Sequence, residues 1–407
     1  MERKRKLDTK NLEQCFLGII MIYIITYLAV VSNIELCIDF GTHASWSIQL
    51  FSGELSISDF LINKSAYPLW HIVTGVVHKF VGLNETEATA TATAFFNCFT
   101  YLGVNAVWIY YERECKQKSN TWLWSFLLMI MGPLYVPRYT QYYYLGQGTG
   151  NIWHNPTNIA VKGIAVLAFM VIGLLLQRAG RNRKWYLFLA VLLVLSALAK
   201  PSFLQGIIPG VGLYMLIKCI YELYQEKRKN HFVLECKNCL KIILAFVPAV
   251  CVVAFQFYVS FFGGEAGDGI GISYGYVLHQ FSVNLFYSFL FAFIFPLTVL
   301  IIDFKNVIKD IFFQIACCYE LCAWLESALI FEKGARAAHG NWLWASYLSM
   351  FIVWMVSMMR FCRYINRQEE FSYKKAIGIC LGGGAFILQV LCGFFYWYNI
   401  ATGKIPY

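Results

Sequence analysis

Residues 15–34 read CFLGIIMIYIITYLAVVSNI. No charge interrupts this run, and a helix needs about 20 apolar residues to cross the hydrocarbon core of a bilayer. Arg3, Lys4, Arg5, Lys6 and Lys10 precede it, and no small-residue cleavage site follows. The run therefore reads as a membrane span and not as a signal peptide. Ten more mostly apolar runs follow, at 88–111, 121–137, 157–177, 186–199, 201–222, 242–262, 281–303, 311–331, 342–359 and 376–400. Eleven spans in a chain of 407 residues leave no stretch long enough for a separate soluble domain. The expectation is one all-α polytopic membrane domain over 1–407.

Composition agrees. Hydrophobic residues make up 59%, aromatics 18% and charged residues 14%. Soluble domains carry about 45–50% apolar and about 25% charged residues. A soluble enzyme is excluded on these grounds, and a nucleic-acid binder more firmly, despite a net charge of +10. That charge is spread unevenly. With the N-terminus placed inside, 24 of the 33 Lys and Arg fall in inner loops and 6 in outer ones, the bias expected of cytoplasmic loops. This puts the N-terminus in the cytoplasm and the C-terminus outside, with a bacterial plasma membrane as the expected setting. Residues 66–83 form a short run broken by His71, His78 and Lys79. It reads as a helix lying on the outer surface. Residues 186–222 read as two short spans that turn at Lys200-Pro201.

Six of the seven histidines, all but His231, then fall outside, so polar chemistry gathers on the outer face. Four outer segments carry it. The first, 35–87, contains Asp39, His43, Trp46 and the string YPLWH at 67–71, with surface helices. The second, 138–156, reads RYTQYYYLGQGTGNIWHNP; the third, 263–280, is the Gly-rich GGEAGDGIGISYGYVLHQ; the fourth, 332–341, is EKGARAAHGN. Asp39 and His43 are four apart, so a helix places them on one face. A carboxylate there is a candidate general base, or simply a helix cap or a solvated loop acid. Lys162 sits inside its span, and Lys200 lies in an apolar run before a proline. Buried cations are functional candidates, with snorkelling to the head groups as the alternative. With Arg336 they form a possible cradle for a lipid phosphate. Glu320 and Glu326 share a span; a hydrogen bond to a neighbouring helix suits Glu320, and Glu326 is a partner for a cavity cation. The Gly-rich third segment reads as a flexible outer loop, either a lid or a plain connector. The 14 cysteines imply no extracellular disulfide framework, and the lone Cys236–Cys239 pair lacks the other ligands zinc needs.

The arrangement resembles membrane glycosyltransferases of the GT-C type, which use polyprenyl-phosphate-linked sugars. The likeness rests on the acid-bearing first outer loop with Asp39 and His43, the YPLWH string before the second span, and about eleven spans on short inner loops. The Gly-rich loop after the seventh span and, more loosely, the segments Trp153-His154-Asn155-Pro156 and Lys200-Pro201 add to it. The resemblance implies a sugar donor on a polyprenyl phosphate and transfer on the outer face to a glycan, lipid-linked or protein acceptor, by an inverting enzyme. It implies that Asp39 is the general base or a metal ligand. From the residues themselves, Lys200, Lys162 and Arg336 are the expected lipid-phosphate ligands, and His154, Asn155, His279, His339 and Glu326 the expected sugar or acceptor ligands. The family's paired acid is missing, because Phe40 and Gly41 follow Asp39. That removes the usual metal pair from the first loop and leaves a divalent metal open. Two other readings remain: a polysaccharide polymerase or ligase relying on outer arginines and histidines, and a transporter or flippase of lipid-linked sugars relying on Glu320 and Glu326.

Overall fold

The structure, a computed structural model, describes residues 9–34, 38–115, 120–139, 146, 148, 151–178, 182–224, 229–262, 269–334, 337–367 and 372–404. It is 81% helical. The chain runs α1 (Thr9–Asn33), α2 (Ile38–Ser52), α3 (Ile57–Asp59) and α4 (Leu69–Val76), the last two each continuing into a π turn, then α5 (Glu85–Cys115). It continues through α6 (Thr121–Ile130), α7 (Pro156–Gln177), α8 (Arg183–Ala199), α9 (Ser202–Tyr224) and α10 (Lys229–Phe262). Strand β1 (Ile270–Ile272) and α11 (Leu278–Phe281) lead to α12 (Leu285–Ile302), α13 (Phe304–Val307) and α14 (Ile311–Leu329). The chain then runs through β2 (Ile330–Glu332), α15 (Leu343–Ile365) and α16 (Tyr373–Ala401).

Each of the eleven apolar runs falls on a helix. Among the described residues nine of these helices are long and apolar enough to cross a membrane. The other two are shorter. Helix α8 has 17 residues, and α6 has only 10 before the chain turns extended at Met131. The break at Lys200-Pro201 lies where the sequence places it, between α8 and α9. The expected surface helix is α4 with its π turn; it buries Trp70 and His71 and exposes Ile72, Val76 and Phe80. The third outer segment is partly structured: 263–268 lie outside the described residues, but β1 pairs antiparallel with β2, Gly271 opposite Phe331.

Helices α7 and α15 form the centre, each with 94% of its apolar window buried. Small residues let neighbours approach closely, as membrane bundles require. A Cβ on Gly163 of α7 would lie 3.0 Å from the Thr100 backbone of α5.

Irregular backbone inside the bundle is satisfied by side chains from other helices. Pro296 interrupts α12 and cannot donate to Ala292. The freed Ala292 carbonyl accepts from Gln389 Nε2 of α16 at 3.0 Å and from Trp354 Nε1 of α15 at 2.9 Å. One residue earlier the Phe291 carbonyl accepts from Leu134 N at 3.0 Å. Phe295 N donates to Gln389 Oε1 at 3.2 Å, and Gln389 Nε2 also reaches the Gly132 carbonyl at 3.2 Å. Gln389 is fully buried. Water does not reach such groups in a bilayer, so each unmet one is costly.

Gln389→Leu therefore strands at least the Phe295 amide and the Gly132 carbonyl. The expected cost is about 1–3 kcal/mol per buried group left unpaired. It is read as a lower thermal midpoint of the purified protein in detergent; an unchanged midpoint contradicts the clamp.

Candidate functional site

The segment 151–156 is fixed residue by residue at one end of the bundle. Helix α6 stops at Ile130, and its last carbonyls need donors. Asn151 Nδ2 supplies them, to Leu128 O at 3.0 Å and Met131 O at 2.8 Å. Lys162 holds Asn151 from below, its ammonium donating to the carbonyl at 3.0 Å and to Oδ1 at 3.2 Å. The Ile152 carbonyl accepts from Asn97 Nδ2 of α5 at 3.0 Å. Trp153 stacks on Phe40 with ring centres 4.4 Å apart. His154 lies against Trp344, ring centres 5.2 Å apart, and takes a φ of 142°. That is a strained conformation for a residue with a side chain, held by the contacts on both sides.

Asn155 follows and caps α7, with Pro156 at the first helical position, where a missing N–H costs nothing. Its Oδ1 accepts from Asn158 N at 3.0 Å and from the Thr157 hydroxyl at 2.7 Å. The same oxygen accepts from Lys200 Nζ at 2.9 Å. Its Nδ2 donates to Asp39 Oδ2 at 3.0 Å. One side-chain amide thus joins the carboxylate of Asp39 to the ammonium of Lys200. Asp39 stands in the first turn of α2, where the helix dipole favours a negative charge, and it is exposed.

Lys200 is 5% exposed and caps the C-terminus of α8 in extended backbone. Its ammonium also donates to Thr157 Oγ1 at 3.3 Å and lies 4.5 Å from the centre of the Trp344 ring and 5.8 Å from that of Tyr67. Its direct partners are neutral oxygens and aromatic faces. Burial pushes its ionisation down to about 7, and the nearby Asp39 charge pulls only partly the other way. The site therefore has a cation held in place with no anion against it.

His43 shares the face of α2 with Asp39 but turns inward. Its Nδ1 lies 2.8 Å from His71 Nε2, and Trp46 and Trp70 surround it. Burial, with Lys200 adding to it, takes His43 down to about 3, and burial takes His71 well below the usual histidine range. The two rings are a neutral pair that walls the site. Burial lowers His154 to about 4, against the pull of Asp39 and with the push of Lys200.

Of the residues expected from sequence, Asp39, Asn155 and Lys200 form one hydrogen-bonded chain, with His154 and His43 beside it. Lys162 supports the loop underneath and is 2% exposed. His279 and His339 are exposed on their own turns. Glu326 sits in α14 with a buried, unpartnered Oε2 and does not pair with Lys200. Glu320 accepts from Ser346 and Ser349 of α15, the helix-to-helix bond expected of it. Arg336 lies outside the described residues. Sequence reasoning missed Thr157 and Trp344; neither differs by type or spacing from the residues around it. Asp39 and His154 give a metal at most two neighbouring donors, and no group of three metal-ligating side chains occurs among the described residues.

No protein-family model and no curated protein matches the sequence. Among solved structures, ArnT from Cupriavidus metallidurans bound to undecaprenyl phosphate is similar, with a TM-score of 0.51 and 10% identity over 96% of this chain and 76% of that one. The same protein in the apo state gives a TM-score of 0.49 and 11% identity over 95% of this chain and 76% of that one. ArnT is a GT-C glycosyltransferase. The chain has a GT-C-like, polytopic membrane fold.

The Lys200 shift sets a pH dependence. The unfolded lysine stays protonated to about 10.5, the folded one to about 7. Between these values the unfolded state binds more protons, so stability rises with pH across the window. The thermal midpoint of wild type minus that of Lys200→Met should therefore rise between pH 6.5 and 9.5. A flat or falling difference contradicts the buried, uncompensated ammonium.

Proposed function

We propose that the protein transfers a sugar from a polyprenyl-phosphate donor to an acceptor hydroxyl on the outer face of the membrane. The observation that carries this reading is the Asp39–Asn155–Lys200 chain, on a fold shared with a structure that holds undecaprenyl phosphate. Such a reaction needs a base for the acceptor and a positive group for the leaving phosphate, held a fixed distance apart. Asp39 and Lys200 meet both needs.

In the proposed reaction the acceptor oxygen attacks the anomeric carbon, and its proton passes to the exposed carboxylate of Asp39. The bond from the anomeric carbon to the phosphate oxygen breaks, and the electron pair leaves with the lipid phosphate. Lys200 stabilises the developing charge, and its position is set before the reaction by Asn155 and Thr157. A single displacement of this kind inverts the anomeric centre. A phosphate beside Lys200 supplies the missing anion and raises its ionisation, so donor binding draws the lysine fully into its charged form. Trp46, half-buried against the His43–His71 pair, gives an apolar face on which a sugar ring packs. The acceptor is a glycan, a lipid-linked glycan or a protein. The transporter reading gains no support: Glu320 is bonded within the bundle, and the buried Oε2 of Glu326 has no hydrogen-bond partner among the described residues.

The test is mass spectrometry of surface glycans and lipid-linked sugars in a deletion strain complemented with wild type or Asp39→Asn. Loss of a general base costs about 10²–10⁴ in rate. Both the deletion and Asp39→Asn should lose one sugar from a surface glycan while its polyprenyl-phosphate form accumulates. Full restoration by Asp39→Asn overturns the assigned base.

A further inference from the structure

A polar cavity lies at the end of the bundle opposite Asp39 and Lys200, where the charge count places the inner loops. It has a volume of about 360 Å³ and opens between the ends of α5, α7 and α15 and the turn from α13 to α14. Its wall carries Lys309, Arg360 and Arg363 against a single carboxylate, Asp310, with Tyr110 and Asn306 beside them.

The acids here are already committed. Asp310 Oδ1 caps α14 through Phe312 N at 2.9 Å and Phe313 N at 3.2 Å. Its Oδ2 accepts from the Tyr111 hydroxyl at 2.8 Å and from Arg360 Nη1 at 3.2 Å. Asp303, just behind, accepts from Arg360 Nη2 at 3.0 Å, from Arg367 Nη2 at 3.0 Å and from Asn306 Nδ2 at 2.6 Å. The donors are not used up. The Arg360 side chain is 8% exposed, and its buried Nε has no hydrogen-bond partner among the described residues. Arg363 lies over the Tyr111 ring, 3.6 Å from its centre. It reaches Asp310 only at 3.7 Å, beyond hydrogen-bond length, and its buried Nε is also unpartnered. Lys309 stands exposed at the rim. What stays open to the cavity is cationic, the exposed Lys309 ammonium and the 23%-exposed Arg363 side chain, so a fitting ligand is an anion that only accepts. Guanidinium groups pair bidentately with carboxylate and phosphate oxygens, and of the two a phosphate offers more acceptor oxygens and more charge to three cationic side chains.

We infer that this cavity binds a phosphate group, carried by an anionic membrane lipid or free in solution. The site is separate from the Asp39–Lys200 chain, and its existence does not depend on the reading of that chain. The purified full-length protein is tested in dodecyl maltoside micelles, which contain no phosphate. Thermal midpoints are followed while inorganic phosphate, or phosphatidylglycerol, is titrated at constant ionic strength, with chloride and diacylglycerol as controls. A midpoint rise with inorganic phosphate assigns a free anion; a rise with phosphatidylglycerol alone assigns a lipid head group. Charged hydrogen bonds of this kind change affinity by about 10-fold each. Lys309→Ala, at an exposed position that leaves the fold intact, and Arg363→Gln should each weaken the response by about that factor. No rise beyond the controls with either ligand overturns the inference, and so does a response that both variants keep in full.

Discussion

A carboxylate and an ammonium bonded to the same side-chain amide are held apart as well as together. An amide donates at one end and accepts at the other, so Asn155 faces Asp39 with its nitrogen and Lys200 with its oxygen. Without it, opposite charges this close would collapse into a direct ion pair, leaving neither free for chemistry. With it, the acid stays open to the surface and the cation stays buried without a counter-ion. Much of the surrounding structure keeps Asn155 still. Pro156 and the α7 cap fix its backbone, Trp153 locks against Phe40 beside Asp39, and the break between α8 and α9 delivers Lys200.

The bilayer sets the terms on which such a site is built. Backbone that leaves the helix must find partners inside the protein. Two devices recur here, and both are long polar side chains on regular helices. Gln389 closes the Pro296 break in α12, and Lys162 holds the asparagine that caps α6. Lys162 looks from sequence like a ligand for phosphate. Its ammonium instead donates to the backbone and side-chain oxygens of Asn151, the residue that meets the end of α6, one layer below the site. The same chemistry that marks a buried lysine as costly also makes it a strong structural anchor when carbonyl oxygens surround it.

The spans, the broken helix at Lys200-Pro201 and the surface helix near Trp70 were legible because each is a local pattern of apolar residues and breakers. So was the grouping of Asp39, Asn155 and Lys200 at one end, since charge bias sorts loops by side. The finer geometry was not. Asp39 and Asn155 stand 116 residues apart, and no spacing rule links them. His43 shares a helix face with Asp39, yet its ring turns to His71, because two buried imidazoles satisfy each other better than either satisfies an exposed acid. Trp344 lies in an apolar span and differs from its neighbours only in what it touches. The shortness of α6 was hidden because the apolar run continues through extended backbone to residue 137.

The most direct test of the central claim is a double-mutant cycle on Asn155→Ala and Lys200→Gln. The rate at which membranes consume a polyprenyl-phosphate-linked sugar is measured for each variant and for the pair. Residues that act as one unit lose little more together than singly. The account predicts that each single change slows consumption and that the pair is about as slow as the worse single variant. Losses that multiply in the pair, or singles that consume the donor at the wild-type rate, contradict it.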